Sequence, residues 1–395
     1  METHATALIT DPMGVFAFLA GIVALVFWLS GTRRLQPLFR VVPPVIFVYF
    51  LPMLATTAGI TPSSSPLYSW TVPYLLLFAL LLLMVSVDVR SILKLGPTAL
   101  FMVAAGTFGI VIGGPISLMV FGDWLPADAW TGFAALAGSW IGGTANMVAI
   151  AESVGTSADA MGPVIVVDTV VGYGWMGILI AMVGLQERFD RTARTEAMRE
   201  ASRQLEEQGD DRRPLTLRDA LLMIGLGMAG AVVAERIGGM LPAMGDPTIV
   251  SATTWAVLIV VTGGLALSFT PARRIEAAGA SHLGYAALYL LLAGIGAKAD
   301  LRAVLDAPMY LAAGALWIAI HAAVLLAAAR LVRAPLFFVA TGSMANIGGA
   351  VSAPIVAGVY HRVMAPVGLM MAVAGYILGI YGGLACAWLL GMVGG

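Results

Sequence analysis

Long apolar runs alternate with short polar breaks along this chain. The runs fall at about 13–30, 43–60, 70–87, 97–121, 131–152, 160–185, 219–238, 252–270, 281–297, 309–330, 335–358 and 364–393. A helix that crosses a bilayer needs roughly 20 apolar residues, and most of these runs reach that length. The breaks carry turn chemistry, as in Ser63-Ser64-Ser65-Pro66, Gly122-Asp123, Gly245-Asp246-Pro247 and Thr270-Pro271. The pattern predicts an all-α polytopic membrane protein. The short polar stretch Met1–Asp11 has no lysine or arginine, so the run Val15–Leu29 is read as a mature first span and not as a cleaved signal peptide.

One stretch breaks the rhythm. Residues 186–218 hold eight arginines and eight acids with almost no apolar periodicity. They read as a solvated linker between a first repeat, 1–185, and a second, 219–395. Composition agrees with the membrane reading: 60% of the 395 residues are hydrophobic and 11% charged, against roughly 25% charged in soluble domains. The net charge of −1 gives no basic surface for nucleic acid. Cys386, the one cysteine, lies in an apolar run and cannot form a disulfide within the chain.

The two halves share a pattern. Gly138-Ser139, Gly142-Gly143-Thr144-Ala145-Asn146, Pro163-Val164 and Gly172-Tyr173 are echoed by Gly342-Ser343-Met344-Ala345-Asn346, Gly348-Gly349, Pro366-Val367 and Gly375-Tyr376; Asp88-Val89-Arg90 is echoed by Asp300-Leu301-Arg302. Six crossings per half would give both halves one orientation and divide the 21 lysines and arginines 12 to 9. If the fifth run of each half, 131–152 and 335–358, enters and leaves on one side, the division becomes 18 to 3, as the positive-inside rule prefers. Most of that gain comes from the linker. Both fifth runs are rich in Gly, Ser, Thr and Asn, which suits broken backbone. The expectation is two inverted repeats of about five transmembrane helices, each with a broken or re-entrant glycine-rich segment, a cytoplasmic linker, external termini and a multi-pass place in the inner (plasma) membrane.

Candidate chemistry gathers at the two breaks. Gly142, Gly143, Gly348 and Gly349 let backbone approach a ligand. Asn146 and Asn346, with Thr144, Ser343 and Ser352, add hard oxygens of the kind sodium takes. The plainer reading is helix packing. Asp168 lies in the apolar run Val164–Val171, where a carboxylate costs roughly 3 kcal/mol by insertion scales. It is expected to mark an ion or proton path, with Asn146, Asp168 and Asn346 as the sodium ligands; its counterpart in the second half is Met371. Glu152 reads as a gate or ion ligand, or as a solvated loop acid. His321, Tyr173 and Tyr376 read as packing residues, and Glu235-Arg236 as an ion pair. No His-Glu-x-x-His, aspartyl dyad or lysine-bearing phosphate loop is present, so neither an enzyme nor an ATP-driven pump is expected.

On the runs 138–147 and 342–349, the chain resembles the YjcL-like family of integral membrane proteins, known as a domain of unknown function. That family is distantly similar to the sodium-coupled glutamate and citrate symporters. The resemblance implies a scaffold domain, a moving transport domain and a homodimer, and extends to Gly142, Gly143, Asn146, Asn346, Gly348 and Gly349. No arginine stands in the second re-entrant segment to hold a dicarboxylate, Arg362 being just beyond it. The expected function is secondary active transport of a small organic solute, sodium- or proton-coupled, by an elevator-like or rocking movement and without a cofactor. A passive channel, or an intramembrane sensor or enzyme, is the alternative.

Overall fold

The computed structural model describes residues 7–42, 44–191, 213–245, 250–298, 307–361 and 364–394. Most of the linker, the Asp300–Arg302 echo and Arg362 lie outside them. The described chain is α-helical, without a strand. The first half runs α1 (Pro12–Ser30), α2 (Pro44–Thr57), α3 (Pro66–Val85), α4 (Pro97–Phe121), α5 (Ala129–Gly142), α6 (Thr144–Val154) and α7 (Ala158–Ala181). The second runs α8 (Leu217–Gly238), α9 (Ala252–Ser268), α10 (Ala280–Gly296), α11 (Ala307–Val332), α12 (Leu336–Ile347), α13 (Gly349–Tyr360) and α14 (Ala365–Gly394). In both halves the fifth and sixth helices are short and lie between a long fourth and a long seventh. Among the described residues, seven helices are long and apolar enough to span a bilayer. An eighth arises if α9 is joined to the 3₁₀ segment Pro271–Ala278, from which it is bent by 94°; α2 and α10 are shorter.

The helices sort into two packed groups. α1, α2, α3, α8, α9 and α10 pack on one another, and α4 to α7 pack with α11 to α14. Each group therefore draws the same helices from both halves. In the second group α11 lies close against α4 because Gly113 and Gly114 leave room for Trp317. The Trp317 indole donates to the Ile110 carbonyl at 2.8 Å and stacks on Phe133 at 5.4 Å. Small residues at a helix crossing are the usual way to gain close packing where no hydrophobic force drives association.

Both fifth runs are broken, and both are hairpins. In the first, the Thr156 hydroxyl at the end of α6 donates to the Thr131 carbonyl at the start of α5 at 3.0 Å, and Ser157 bonds Asp128. In the second, Phe337 at the start of α12 packs on His361 just after α13, with ring centroids 5.9 Å apart. Chain entry and exit are thus adjacent in each. The hairpins open toward opposite ends of α7, a helix of 24 residues, about 36 Å long. Its N-terminal cap, Ser157, sits at the mouth of the first. Beyond its other end, Gln186 meets His361 and Asp190 accepts from the Leu336 amide at the mouth of the second.

Candidate functional site

The break in each hairpin is a glycine in left-handed backbone, Gly143 at φ 78° and Gly349 at φ 60°. A residue with a Cβ is disfavoured at such positive φ by of order 1–3 kcal/mol, so these glycines set where the helix stops. Counted from them, Asn146 has Ser352 as its counterpart, each three residues past the break. Asn346 instead lies before its break. The expected equivalence of the two asparagines at an offset of 200 therefore gives way to an offset of 206 at the break itself.

The two tips meet at α14. A Cβ on Gly375 would press on the Ile141 carbonyl oxygen and lie 3.5 Å from that of Ala345, so glycine lets both chain ends close on this point. The Tyr376 ring lies 3.5 Å from the space a Cβ would take on Gly143 and 3.9 Å from that on Gly349. Two cavities adjoin here. The larger, about 380 Å³, is bounded by Gly142, Gly143, Thr144 and Asn146 of the first hairpin, Gly348 and Gly349 of the second, and Phe27, Tyr285, Tyr289 and Tyr376. The smaller, about 200 Å³, contains Asp168 with Ser139, Thr144, Thr169, Tyr173, Ser352 and Gly348. The larger lies between the two helix groups: Phe27, Tyr285 and Tyr289 come from the outer one. A Tyr285–Tyr376 hydroxyl bond of 3.2 Å crosses between the groups.

The predicted residues divide. Gly142, Gly143, Thr144, Asn146, Asp168, Gly348, Gly349 and Ser352 line one or both cavities. Asp168 accepts a hydrogen bond from the Ser139 hydroxyl at 3.0 Å. Hydroxyls and carbonyls around a single carboxylate suit a sodium ion. Among the described residues no cluster of three His, Cys, Asp or Glu side chains offers a transition-metal site. Asn146 donates to the Gly142 and Tyr376 carbonyls at 3.1 and 3.2 Å, tying the first tip to α14.

Asn346, Ser343 and Glu152 line neither cavity. Asn346 donates to Thr107 of α4 at 3.0 Å. The amide oxygens of Asn146 and Asn346 are both buried without a partner. Ser343 accepts from the Trp175 indole at 2.8 Å and meets His321 Nε2 at 2.9 Å; His321 Nδ1 lies 2.9 Å from the Gly106 carbonyl. That carbonyl only accepts, so Nδ1 carries a proton, and with the Ser343 hydroxyl donating to Nε2 the network is satisfied with neutral histidine. Glu152, near the mouth of the first hairpin, feels the charge of Lys298. The outer wall of Tyr285 and Tyr289 is not among the residues the sequence singles out. Their spacing of four residues puts two tyrosines on one helix face, the one signal in the sequence that marks them.

The chain is 26% identical over 344 residues, 84% of its own length and 85% of the other's, to the uncharacterized membrane protein YjcL of Bacillus subtilis (strain 168). A family profile described as protein of unknown function (DUF819) matches residues 17–393. With this helical architecture and that match over nearly its whole length, the chain belongs to the DUF819 family of membrane proteins.

Proposed function

We propose that this protein is a secondary active transporter of a small organic solute. One observation carries the reading: two glycine-broken hairpins reach in from opposite ends of α7 and meet at Gly375 and Tyr376, beside cavities at the boundary of two helix groups. Broken segments meeting at the midplane between inverted repeats are the anatomy that alternating access uses. In this reading 1–185 and 219–395 are inverted repeats and 186–218 is a cytoplasmic linker. The outer group is a scaffold, held as a homodimer in the plasma membrane, and the hairpin group moves against it as an elevator.

The smaller cavity takes the coupling ion. Asp168 supplies the charge, and Ser139, Thr144, Thr169 and Ser352 supply neutral oxygens. Sodium is the favoured ion and a proton on Asp168 the alternative. The solute sits in the larger cavity between the tips and the tyrosine wall. No cofactor enters the scheme.

The test is uptake by purified protein in liposomes under an imposed sodium or proton gradient, after a thermal-shift screen for solutes with and without sodium. Accumulation above the outside concentration that collapses with one gradient supports the proposal. Equilibration without accumulation assigns the protein to passive facilitators.

A further inference from the structure

Two cavities outside the candidate site are lined with arginine, and they differ in how their charge is met. The larger, about 840 Å³, lies at the ends of α3 and α9 and holds Arg90, Arg213, Arg273 and Arg274 with Asp88 and Glu276. Its charges are largely consumed: Arg273 pairs with Asp88, and Arg213 with Asp219. The other, about 480 Å³, lies between the end of α7 and the end of α11. Among the described residues it is lined by Leu185, Arg188, Phe189, Ala329, Arg330, Arg333 and Ala334, with no acid. Asp190, on the same segment as Arg188, is taken by the Leu336 amide.

Arginine near a helix C-terminus is favoured by the helix dipole, and on the cytoplasmic face by the positive-inside rule. Either rule puts single arginines at the surface; neither gathers three around one cavity. A second feature sets this place apart. Arg333 has φ 55°, and no other described residue except glycine has a positive φ. It is the left-handed residue that closes α11, where the Ala334 amide donates to the Ala329 carbonyl at 2.9 Å, and this turn places Arg333 and Ala334 on the cavity wall. Leu185 of the lining and Leu331, next to Arg330 in the chain, are exposed on helices long and apolar enough to cross the membrane. Guanidinium groups beside exposed leucines at the ends of such helices suit a phosphate at the headgroup level.

We propose that this cavity binds the phosphate of an anionic phospholipid, held by Arg188, Arg330 and Arg333 at the mouth of the second hairpin. The guanidinium fork matches a phosphodiester in a way a lysine ammonium does not.

The experiment follows thermal unfolding of the full-length protein in nanodiscs of phosphatidylglycerol and of phosphatidylcholine with the same acyl chains. Phosphatidylglycerol is expected to raise the midpoint by roughly 3 °C over phosphatidylcholine. The double variant Arg188→Gln/Arg330→Gln should lose most of that rise while matching wild type in phosphatidylcholine. Arg90→Gln/Arg274→Gln, altering charge in the other arginine cavity, should keep it. Arg330→Lys covers the case in which the double variant does not fold, and is expected to retain part of the rise. An equal midpoint in the two lipids, or a full rise in the double variant, overturns the proposal. Inorganic phosphate added in phosphatidylcholine distinguishes the source: the same rise from phosphate alone would overturn the lipid and leave a soluble phosphate site.

Discussion

The two hairpins are built alike and held differently. Each is a pair of short helices around a left-handed glycine, and each tip ends against α14. At the mouth of the first, the outer helices reach across. Tyr49 of α2 donates to the Ala158 carbonyl at 2.8 Å, and Ser251 and Thr254 at the start of α9 both donate to the Ser153 carbonyl, at 3.1 and 3.2 Å. Near the middle, Thr262 meets Tyr381 at 2.9 Å. Among the described residues no hydrogen bond joins the second hairpin to the outer helices. Its mouth is fixed instead within its own group, by Tyr360 on the Leu179 carbonyl at 2.8 Å and by Asp190 on Leu336. Under the transport proposal this conformation is shut on the first hairpin's side, and the second hairpin travels with the moving group.

The largest expected effect tests a chemical asymmetry. Asp168 is bonded to Ser139 of the first hairpin, and its counterpart by the Pro-Val and Gly-Tyr echo is Met371. If the ion is held by the first hairpin, Asp168→Asn keeps shape and hydrogen bonding but should abolish uphill accumulation in liposomes, to the level of protein-free vesicles. Undiminished accumulation under both sodium and proton gradients would remove Asp168 from coupling.

The break glycines come next, and here the hairpins should behave alike. Gly143→Ala and Gly349→Ala each place a Cβ in left-handed backbone, at about 1–3 kcal/mol. At Gly143 the nearest atom to that Cβ is 3.5 Å away, so the cost is conformational and not a clash. Both variants should cut initial uptake rates by roughly tenfold, in line with that strain falling on the binding-competent state. Gly174→Ala and Gly177→Ala, where an added Cβ meets nothing within 4 Å, should stay at wild type. Loss at one break alone would mean that only one tip forms the site.

Much of this was legible in the sequence. The apolar runs found the helices to within a few residues, because lipid permits little else across a bilayer. Asp168 stood out because a charge there is expensive. Glycine and asparagine marked both breaks, but sequence could not say on which side of the asparagine the chain turns; that depends on which glycine takes positive φ. It also could not show that Ser343 turns to His321 and Trp175, since a serine in a helix carries no sign of its partner. The tyrosine wall belongs to α10, a helix distant in sequence from the breaks.

The clasp gives a smaller, graded effect. A buried neutral hydrogen bond contributes about 1 kcal/mol net, so removing one should shift a two-state equilibrium by roughly fivefold. A cysteine at Val154, in a Cys386→Ala background, reports opening of the first mouth to an impermeant thiol reagent. Tyr49→Phe should raise its labelling rate several-fold, and Ser251→Ala/Thr254→Val, which removes two bonds, by more. Tyr360→Phe, which loosens the second hairpin within its own group, should lower the unfolding midpoint and leave that labelling unchanged. Equal labelling across all variants would dissolve the contrast between clasped and unclasped mouths.

The smallest effect concerns the outer group alone. Asp88 lies between α3 and α4. Burial pushes its carboxyl up, but the Ser91 amide and hydroxyl and the charges of Arg273 and Lys94 outweigh that and hold it below the ordinary carboxylate range. A depressed folded-state pKa adds stability that is fully present above the unfolded value, about 3.9, and is lost as pH falls through the folded one. Asp88→Asn lacks this increment. Its unfolding midpoint should therefore lie roughly 1 °C below wild type, a small gap because the pair is partly solvated. The gap should be constant from about pH 8 to pH 5 and close as pH is taken down through the carboxylate range. A gap that persisted in acid would assign the loss to packing instead of charge. Because this tie joins α3 to the segment after α9, within the outer group, Asp88→Asn should leave Val154→Cys labelling as it was. A change in labelling would mean that the linker end of the outer group, and not the Tyr49, Ser251 and Thr254 clasp alone, helps to keep the first mouth shut.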